Sequence, residues 1–359
     1  MSGPAGRHSR NEVIDAYRAI LIYAVLTYHY LLRWAPPLHT PNLYGYNTVY
    51  SPNWEIGAHG VEVFFVISGL VITMTVLRSH DALDFAFRRF SRLHPTAVVC
   101  SLLTFIVTTL VGPAEFKRSV GDMLGSMTLI VPAFHGRLID GAYWSLIVEV
   151  KFYLLVAVSF FFLRERFWLA VVALAIAEFL CRIFAFHRGI MDGPLIGNFV
   201  SLFAIGMAAW YAIFEKRAAP AIWLSVAATL TLPATMSILT IDHEPALSVQ
   251  IAVVAAIALL IVLLAFGAKI PLGPLPYLGR ISYALYLTHQ NIGVTIIGLV
   301  KRGTHCPDIA AFLLAAVLMT ALAAFLFHFI EMPAQEWLRG HYLRRRPHLA
   351  PVPQLAGEA

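Results

Sequence analysis

The feature that most constrains this chain is a succession of apolar runs, each close to twenty residues long and nearly free of charge. A hydrocarbon core about 30 Å thick takes about 20 helical residues to cross. Runs of that kind occur at 13–33, 57–77, 95–112, 143–163, 167–187, 195–214, 221–241, 248–268, 279–300 and 308–330. Apolar residues make up 59% of the 359 and charged residues 13%. Mean hydropathy is +0.74, outside the range of a soluble domain. In lipid only helical bundles and closed barrels satisfy their backbones, and long runs without period-two alternation select the bundle. The expectation is an all-α polytopic membrane helical bundle of about ten transmembrane helices. Segment 121–134 is apolar but too short to cross, and reads as re-entrant or interfacial. If it crosses, the count becomes eleven and the C-terminus changes side.

Charge placement agrees with ten. With the N-terminus inside, sixteen Lys and Arg residues fall in cytoplasmic segments and seven on the opposite side, a clear positive-inside bias that puts both termini in the cytoplasm. The net charge of +6 then mostly records topology. No aromatic-interleaved basic patch argues for nucleic acid. The first run is full length, carries Arg18 and lacks a small-residue cleavage pattern, so it is expected to stay as the first helix. Three cysteines, Cys100 and Cys181 inside runs and Cys306 in an external turn, are too few for a disulfide framework. There is no Cys/His metal spacing and no Gly-rich phosphate loop. Residues 339–359, with Arg344, Arg345 and Arg346 and later prolines, read as a disordered cytoplasmic tail after a single domain at 11–338.

Ionisable residues inside apolar runs are costly and usually functional. Arg18 and His29 stand eleven residues apart in the first run, so on a helix they share a face, separated by roughly 16 Å along the axis. His29 lies near the outer end of its helix. His59 and Glu62, in the second run, and Glu149 with Lys151, in the fourth, are placed at a comparable level by their distance from the span ends. His289 falls near the middle of the ninth run. An imidazole–carboxylate cluster is therefore expected in the outer half of the membrane, suited to general-base work on a hydroxyl. The ordinary alternative is a set of buried pairs that hold the bundle together, and Glu178 with Arg182, four apart in the fifth run, look like such a pair.

A second group belongs at the inner face. Arg18 joins Arg88, Arg89 and Arg92, which lie between the second and third runs. Arg89 and Arg92, three apart, would present two guanidinium forks to one side of a helix. Such forks match phosphate oxygens, although positive-inside segments are rich in arginine for topological reasons alone. Glu331, at the inner end of the last run, is placed either to pair with Arg18 or a neighbouring arginine, or at an exposed helix end. The long outer segments 34–56 and 113–142 hold aromatic residues, Trp34, Tyr44, Tyr46, Tyr50 and Trp54 in the first, which read as interface anchors ahead of a sugar-stacking platform.

Six blocks in a fixed order now carry a resemblance. Arg18 and His29 match an Arg-x10-His pattern, and Gly60-Val-Glu-Val-Phe-Phe-Val-Ile-Ser-Gly69 matches a second-helix signature. Arg88-Arg-Phe-Ser-Arg-Leu-His-Pro95 matches an Arg-x-x-Arg loop, and Tyr143-Trp-Ser-Leu-Ile-Val-Glu149 a Trp-Ser-Leu-x-Val-Glu block. Leu278-Gly-Arg-Ile-Ser-Tyr-Ala-Leu-Tyr-Leu-Thr-His289 and Phe329-Ile-Glu-Met-Pro333 complete the set. Together they resemble the membrane-bound acyltransferase-3 family over about 11–338. Two positions depart from the usual pattern. The second-helix acid is Glu62 in place of the common aspartate, and Val150 and Lys151 follow Glu149 where a second acid or glutamine is common. No soluble esterase-like domain of the kind some members carry is expected in this sequence.

The resemblance implies a ten-helix, multi-pass O-acyltransferase of the bacterial inner membrane. It would move an acyl group, often acetyl, from cytosolic acyl-coenzyme A to a hydroxyl of a glycan such as lipopolysaccharide, exopolysaccharide or a signalling oligosaccharide. His29 is then the general base, with Glu62 or Glu149 orienting it, and a covalent acyl-histidine is the alternative route. Arg18, Arg89 and Arg92 bind the donor phosphates. Trp144, Ser145, His289 and Glu331 support the substrates or the site, and no metal takes part. The rival readings are a transporter, whose relays also use intramembrane His, Glu and Arg but which would more often show an internal repeat, and a non-catalytic partner of a polysaccharide-export system.

Overall fold

The computed structural model of the chain describes residues 4–36, 38–48, 52–129, 136–183, 199–238, 247–266 and 271–346. The regular elements among them are helical throughout. They are α1 (Pro4–Leu31), α2 (Gly60–Leu77), α3 (Ala82–Val111), α4 (Val120–Thr128), α5 (Tyr143–Leu163), α6 (Trp168–Ile183), α7 (Val200–Trp210), α8 (Ala218–Ile238), α9 (Leu247–Phe266), α10 (Leu275–Arg280), α11 (Ser282–Gly303), α12 (Asp308–Leu326) and α13 (Met332–Arg345). Each of the ten apolar runs overlaps one of these helices. By length and composition, five helical stretches among the described residues are able to cross a membrane: 54–77, 82–111, 143–166, 249–266 and 308–345. The first and ninth runs are helical as well, but Arg18 in α1 and the polar series from Thr288 to Asn291 in α11 dilute their apolar content.

Two boundaries differ from expectation. The segment between the second and third runs is no loop, because α3 begins at Ala82 and continues through Pro95. Asp81 starts it by accepting from the Asp84 amide at 2.7 Å, so Arg88, Arg89 and Arg92 are helical residues. The described part of the segment at 121–134, expected to be too short to cross, lies in α4, nine residues long. At 1.5 Å per residue that spans roughly 14 Å, less than half the hydrocarbon thickness. Ser119 and Asp122 close a capping box at its start. Finally, the expected tail at 339–359 is helical as far as Arg345. A π-helical turn, Phe327–Glu331, joins α12 to α13. Tyr342 stacks on Phe87 of α3 at 4.0 Å, and Arg346 bonds Asp81 at 3.1 Å. The ring contact and ion pair hold the last helix against the bundle. The expected partnership of Glu178 with Arg182 involves a side chain outside the described residues.

Helix packing explains which faces surround the interior. α2 and α7 cross at backbone contact: a Cβ on Gly69 would lie 2.2 Å from the Phe203 carbonyl oxygen, and one on Gly206 would lie 1.9 Å from that of Val66. Small residues permit this approach, which gains dispersion contacts where lipid gives no hydrophobic drive. α10 meets α1 in the same way, with Gly279 pressed against the Asp15 carbonyl. α1 is thereby enclosed by α2, α10 and α11, and its Arg18–His29 face looks into protein.

Candidate active site

Around Ile14, Asp15 and Arg18, α1 opens onto a vestibule of about 560 Å³. Arg18, Arg92, Arg280 and Glu331 are among its walls. Arg92 makes no hydrogen bond among the described residues, and Arg18 Nε is buried with no partner. An unpaired guanidinium nitrogen away from water costs free energy unless a ligand meets it. Glu331 is buried, takes a 3.3 Å bond from Gln335 and leaves Oε2 unpartnered. It faces the same space as Arg18 and Arg92 and is not an exposed helix end.

Arg18 and Arg92 also line a narrower chamber of about 80 Å³ above the vestibule, together with Arg89, Ser145, Glu149, Tyr153 and Tyr286. Arg89 is buried, donates to the Thr75 hydroxyl and lies over the Tyr153 ring at 5.5 Å. Arg88 points elsewhere and pairs with Asp84 at 3.0 Å. Glu149 accepts from the Ser68 and Tyr153 hydroxyls, each at 2.5 Å. Ser145 and Tyr286 share a hydrogen bond of 2.7 Å at the far wall.

Beyond Tyr286 stand the two imidazoles. The Tyr286 and His289 ring centroids are 5.5 Å apart, and His29 and His289 meet edge to face at 5.0 Å. His289 Nδ1 lies 2.8 Å from the Tyr286 carbonyl oxygen. A carbonyl only accepts, so Nδ1 carries the proton, and in the neutral ring the lone pair is left on Nε2, which is buried and unpartnered. His29 Nδ1 is likewise buried without a partner. Tyrosines fix both backbones: Tyr30 donates to the His289 carbonyl at 3.0 Å, and Tyr44 donates to that of His29.

The carboxylates do not sit where counting from the span ends put them. Glu149 faces the arginine chamber and bonds Ser68 and Tyr153, not His29. Glu62 pairs with His59, the residue just before α2, at 3.6 Å, and its Oε2 has no partner. The error lies in treating helix starts as membrane surfaces. Tyr143, the first residue of α5, is 1% exposed and follows the buried residues Ile139, Asp140 and Ala142. α5 therefore begins deep inside the protein, and every depth counted from it shifts inward. Trp144 also turns away. It is more than a third exposed and packs on Phe65 and Phe199 at 6.0 and 5.4 Å, because neighbours on a helix diverge by about 100° and Ser145 takes the chamber side.

Several residues escaped the sequence reading. Asp140 is fully buried and accepts from the Asn291 and Ala142 amides, each at 2.9 Å. Asn291 Nδ2 donates to the Ile139 carbonyl at 3.0 Å. These bonds staple the turn before α5 to α11 two residues past His289. Burial pushes the Asp140 carboxyl up to about 6, against the lowering effect of its two amide donors. The polar run His289, Gln290, Asn291 within an apolar helix was a usable signal; an aspartate in a loop gave none. Three of the aromatics of 34–56 fold inward, Tyr44 and Tyr46 buried and stacked at 4.8 Å and Trp34 against Phe116 at 4.8 Å, while Trp54 is exposed. Tyr50 lies outside the described residues. Lys301 and Asp308 pair at 2.7 Å, and Asp308 accepts from the Asn47 and Thr48 amides, which pins this loop over the histidines.

The fold and cavities thus define a helical membrane protein with an arginine-lined vestibule and inner chamber, and paired histidines packed beyond the Tyr286 wall of that chamber. The chain belongs to the acyltransferase-3 family, whose acyltransferase-domain model matches residues 11–328. It is 26% identical to the peptidoglycan O-acetyltransferase OatA of Listeria monocytogenes, over 92% of this chain and 57% of that protein. It is 24% identical to the putative peptidoglycan O-acetyltransferase YrhL of Bacillus subtilis, over 89% and 54%. An O-acetyl transferase of Shigella phage Sf6 matches at 31% identity over 27% of each chain. The chain spans just over half the length of the first two relatives. No solved structure matches it.

Proposed function

We propose that the chain is an integral inner-membrane O-acyltransferase that passes an acetyl group from cytosolic acyl-coenzyme A to a glycan hydroxyl. The observation that carries the reading is the run of space from the vestibule past Arg18 and Arg92 to Tyr286, with His289 and His29 next beyond. The residues present fit the donor: Arg18 and Arg92 have unsatisfied guanidinium groups for phosphate, and the narrow chamber suits an extended thioester arm. When bound, the donor supplies a carbonyl activated by a thiolate leaving group. Ten membrane crossings with both termini inside put the arginine end in the cytoplasm.

In this reading His29 takes the proton from the acceptor hydroxyl as its oxygen attacks the thioester. No described carboxylate bonds His29, so neither Glu62 nor Glu149 orients it, and that role falls to His289, whose ring meets it edge to face at 5.0 Å. Glu149 instead balances the chamber arginines. The relatives' names make a peptidoglycan-type glycan the first acceptor to test. His29→Ala should lower transfer of labelled acetyl from acetyl-coenzyme A to such a glycan by about 100-fold or more, with membrane abundance unchanged. Near-normal turnover by the purified variant would remove His29 from this role.

A further inference from the structure

We infer that Arg280, Tyr277 and His328, at the mouth of the vestibule, form a subsite for the nucleotide end of the donor, with Arg280 taking its 3′-phosphate and the two rings its adenine. The inference rests on the acyl-coenzyme A reading and adds residues that the donor-binding arginines of α1 and α3 do not include.

Three observations meet here. Tyr277 and His328 present near-parallel rings, tilted by 22° with centroids 6.0 Å apart, and are joined by a 3.2 Å bond from one polar tip to the other. Arg280 lies 5.7 Å from the Tyr277 ring centre. It is exposed and makes no hydrogen bond or ion pair among the described residues, so its fork is free. All three side chains line the vestibule that Arg18 and Arg92 share with the inner chamber. Aromatic faces beside a free guanidinium are the chemistry that holds a purine and a phosphate together. Topological arginine needs no such platform.

Depth supports the same assignment. Gly279 presses α10 directly onto the Asp15 carbonyl, which sets Arg280 at the level of Asp15. From Asp15 the α1 axis rises roughly 4.5 Å to Arg18 and roughly 21 Å to His29. Nucleotide, diphosphate and thioester are met in that order along an extended donor, as Arg280, Arg18 with Arg92, and His29 are along the helix. Asp15 and Glu331 add negative charge at the mouth. Against Arg18, Arg92 and Arg280 they leave it net positive.

The test compares acetyl-coenzyme A with acetyl-3′-dephospho-coenzyme A on purified protein carrying Arg280→Gln or Tyr277→Leu. Wild type should prefer the phosphorylated donor. Arg280→Gln should raise KM at least tenfold for acetyl-coenzyme A and less than twofold for the dephospho donor, with kcat kept. Tyr277→Leu should raise KM for both. If Arg280→Gln weakens both donors equally, or neither, the subsite is wrong while the donor reading stands. If wild-type protein transfers from neither donor, both fall together.

Discussion

At the scale of single residues, Asp140 shows how a side chain remote from any recognised motif shapes the site. Its buried carboxyl titrates near 6 against an ordinary value of 3.8. A raised carboxylate value means that the folded state holds its proton more tightly than the unfolded chain does. The stability linked to Asp140 is therefore complete below about pH 4 and is lost as pH rises through about 6, by about 3 kcal/mol for two units. In detergent, the Tm of wild type should fall between pH 4 and pH 7 relative to that of Asp140→Asn. Parallel Tm profiles for the two proteins would show that Asp140 is already ionised in the fold. The amide also gives up one of the two acceptor oxygens facing Ala142 and Asn291, so the diagnostic quantity is the pH dependence of the difference and not its size.

At the scale of elements, α3 decides what its arginines are for. Because the helix runs unbroken through Pro95, Arg89 and Arg92 are held three residues apart on one face and line one chamber. If they grip phosphates through planar forks, Arg89→Lys with Arg92→Lys keeps the charge and loses the bidentate geometry. A binding titration should show acyl-coenzyme A affinity at least tenfold weaker, about 1–3 kcal/mol per charged hydrogen bond lost. A topology assay should show normal insertion. Unchanged affinity would return both residues to a topological role. The α2–α7 crossing supplies a control for packing. Gly206→Ala forces a Cβ to within 1.9 Å of a carbonyl oxygen, whereas Gly340 in α13 has open space. Gly206→Ala should cost about 1–3 kcal/mol or more and Gly340→Ala should gain up to about 1 kcal/mol, read as opposite shifts in Tm. Equal shifts would mean that the crossing is looser than the structure has it.

The elements also show what was legible beforehand. Apolar runs of twenty residues announced the helices, since burial in lipid leaves few other solutions, and the Arg18–His29 face followed from helical period alone. The position of Glu149 did not follow. Its depth depends on the buried turn at Ile139–Ala142 before α5 and on the Asp140–Asn291 staple, which joins residues 151 apart. No local pattern encodes such a contact. The continuation of α3 across Pro95 was hidden for a related reason. A proline normally marks a helix start or end, and packing against neighbouring helices, α11 among them, where Tyr283 bonds the Leu93 carbonyl at 2.9 Å, supports the helix through it.

At the scale of the whole molecule, the two cavities share Arg18 and Arg92, with the proposed donor-binding groups along them and the paired histidines beyond Tyr286. The account is thus one of transfer across a membrane, with donor and acceptor arriving from opposite faces and only the acyl group passing between them. Proteoliposomes of fixed orientation test this directly, with a glycan acceptor sealed on the histidine side and labelled acetyl-coenzyme A added on the arginine side. The account predicts labelled ester on the sealed acceptor, none when the donor is placed only with the acceptor, and none with His29→Ala. Ester formation only when both substrates share one face, or passage of unmodified glycan without ester, would contradict it.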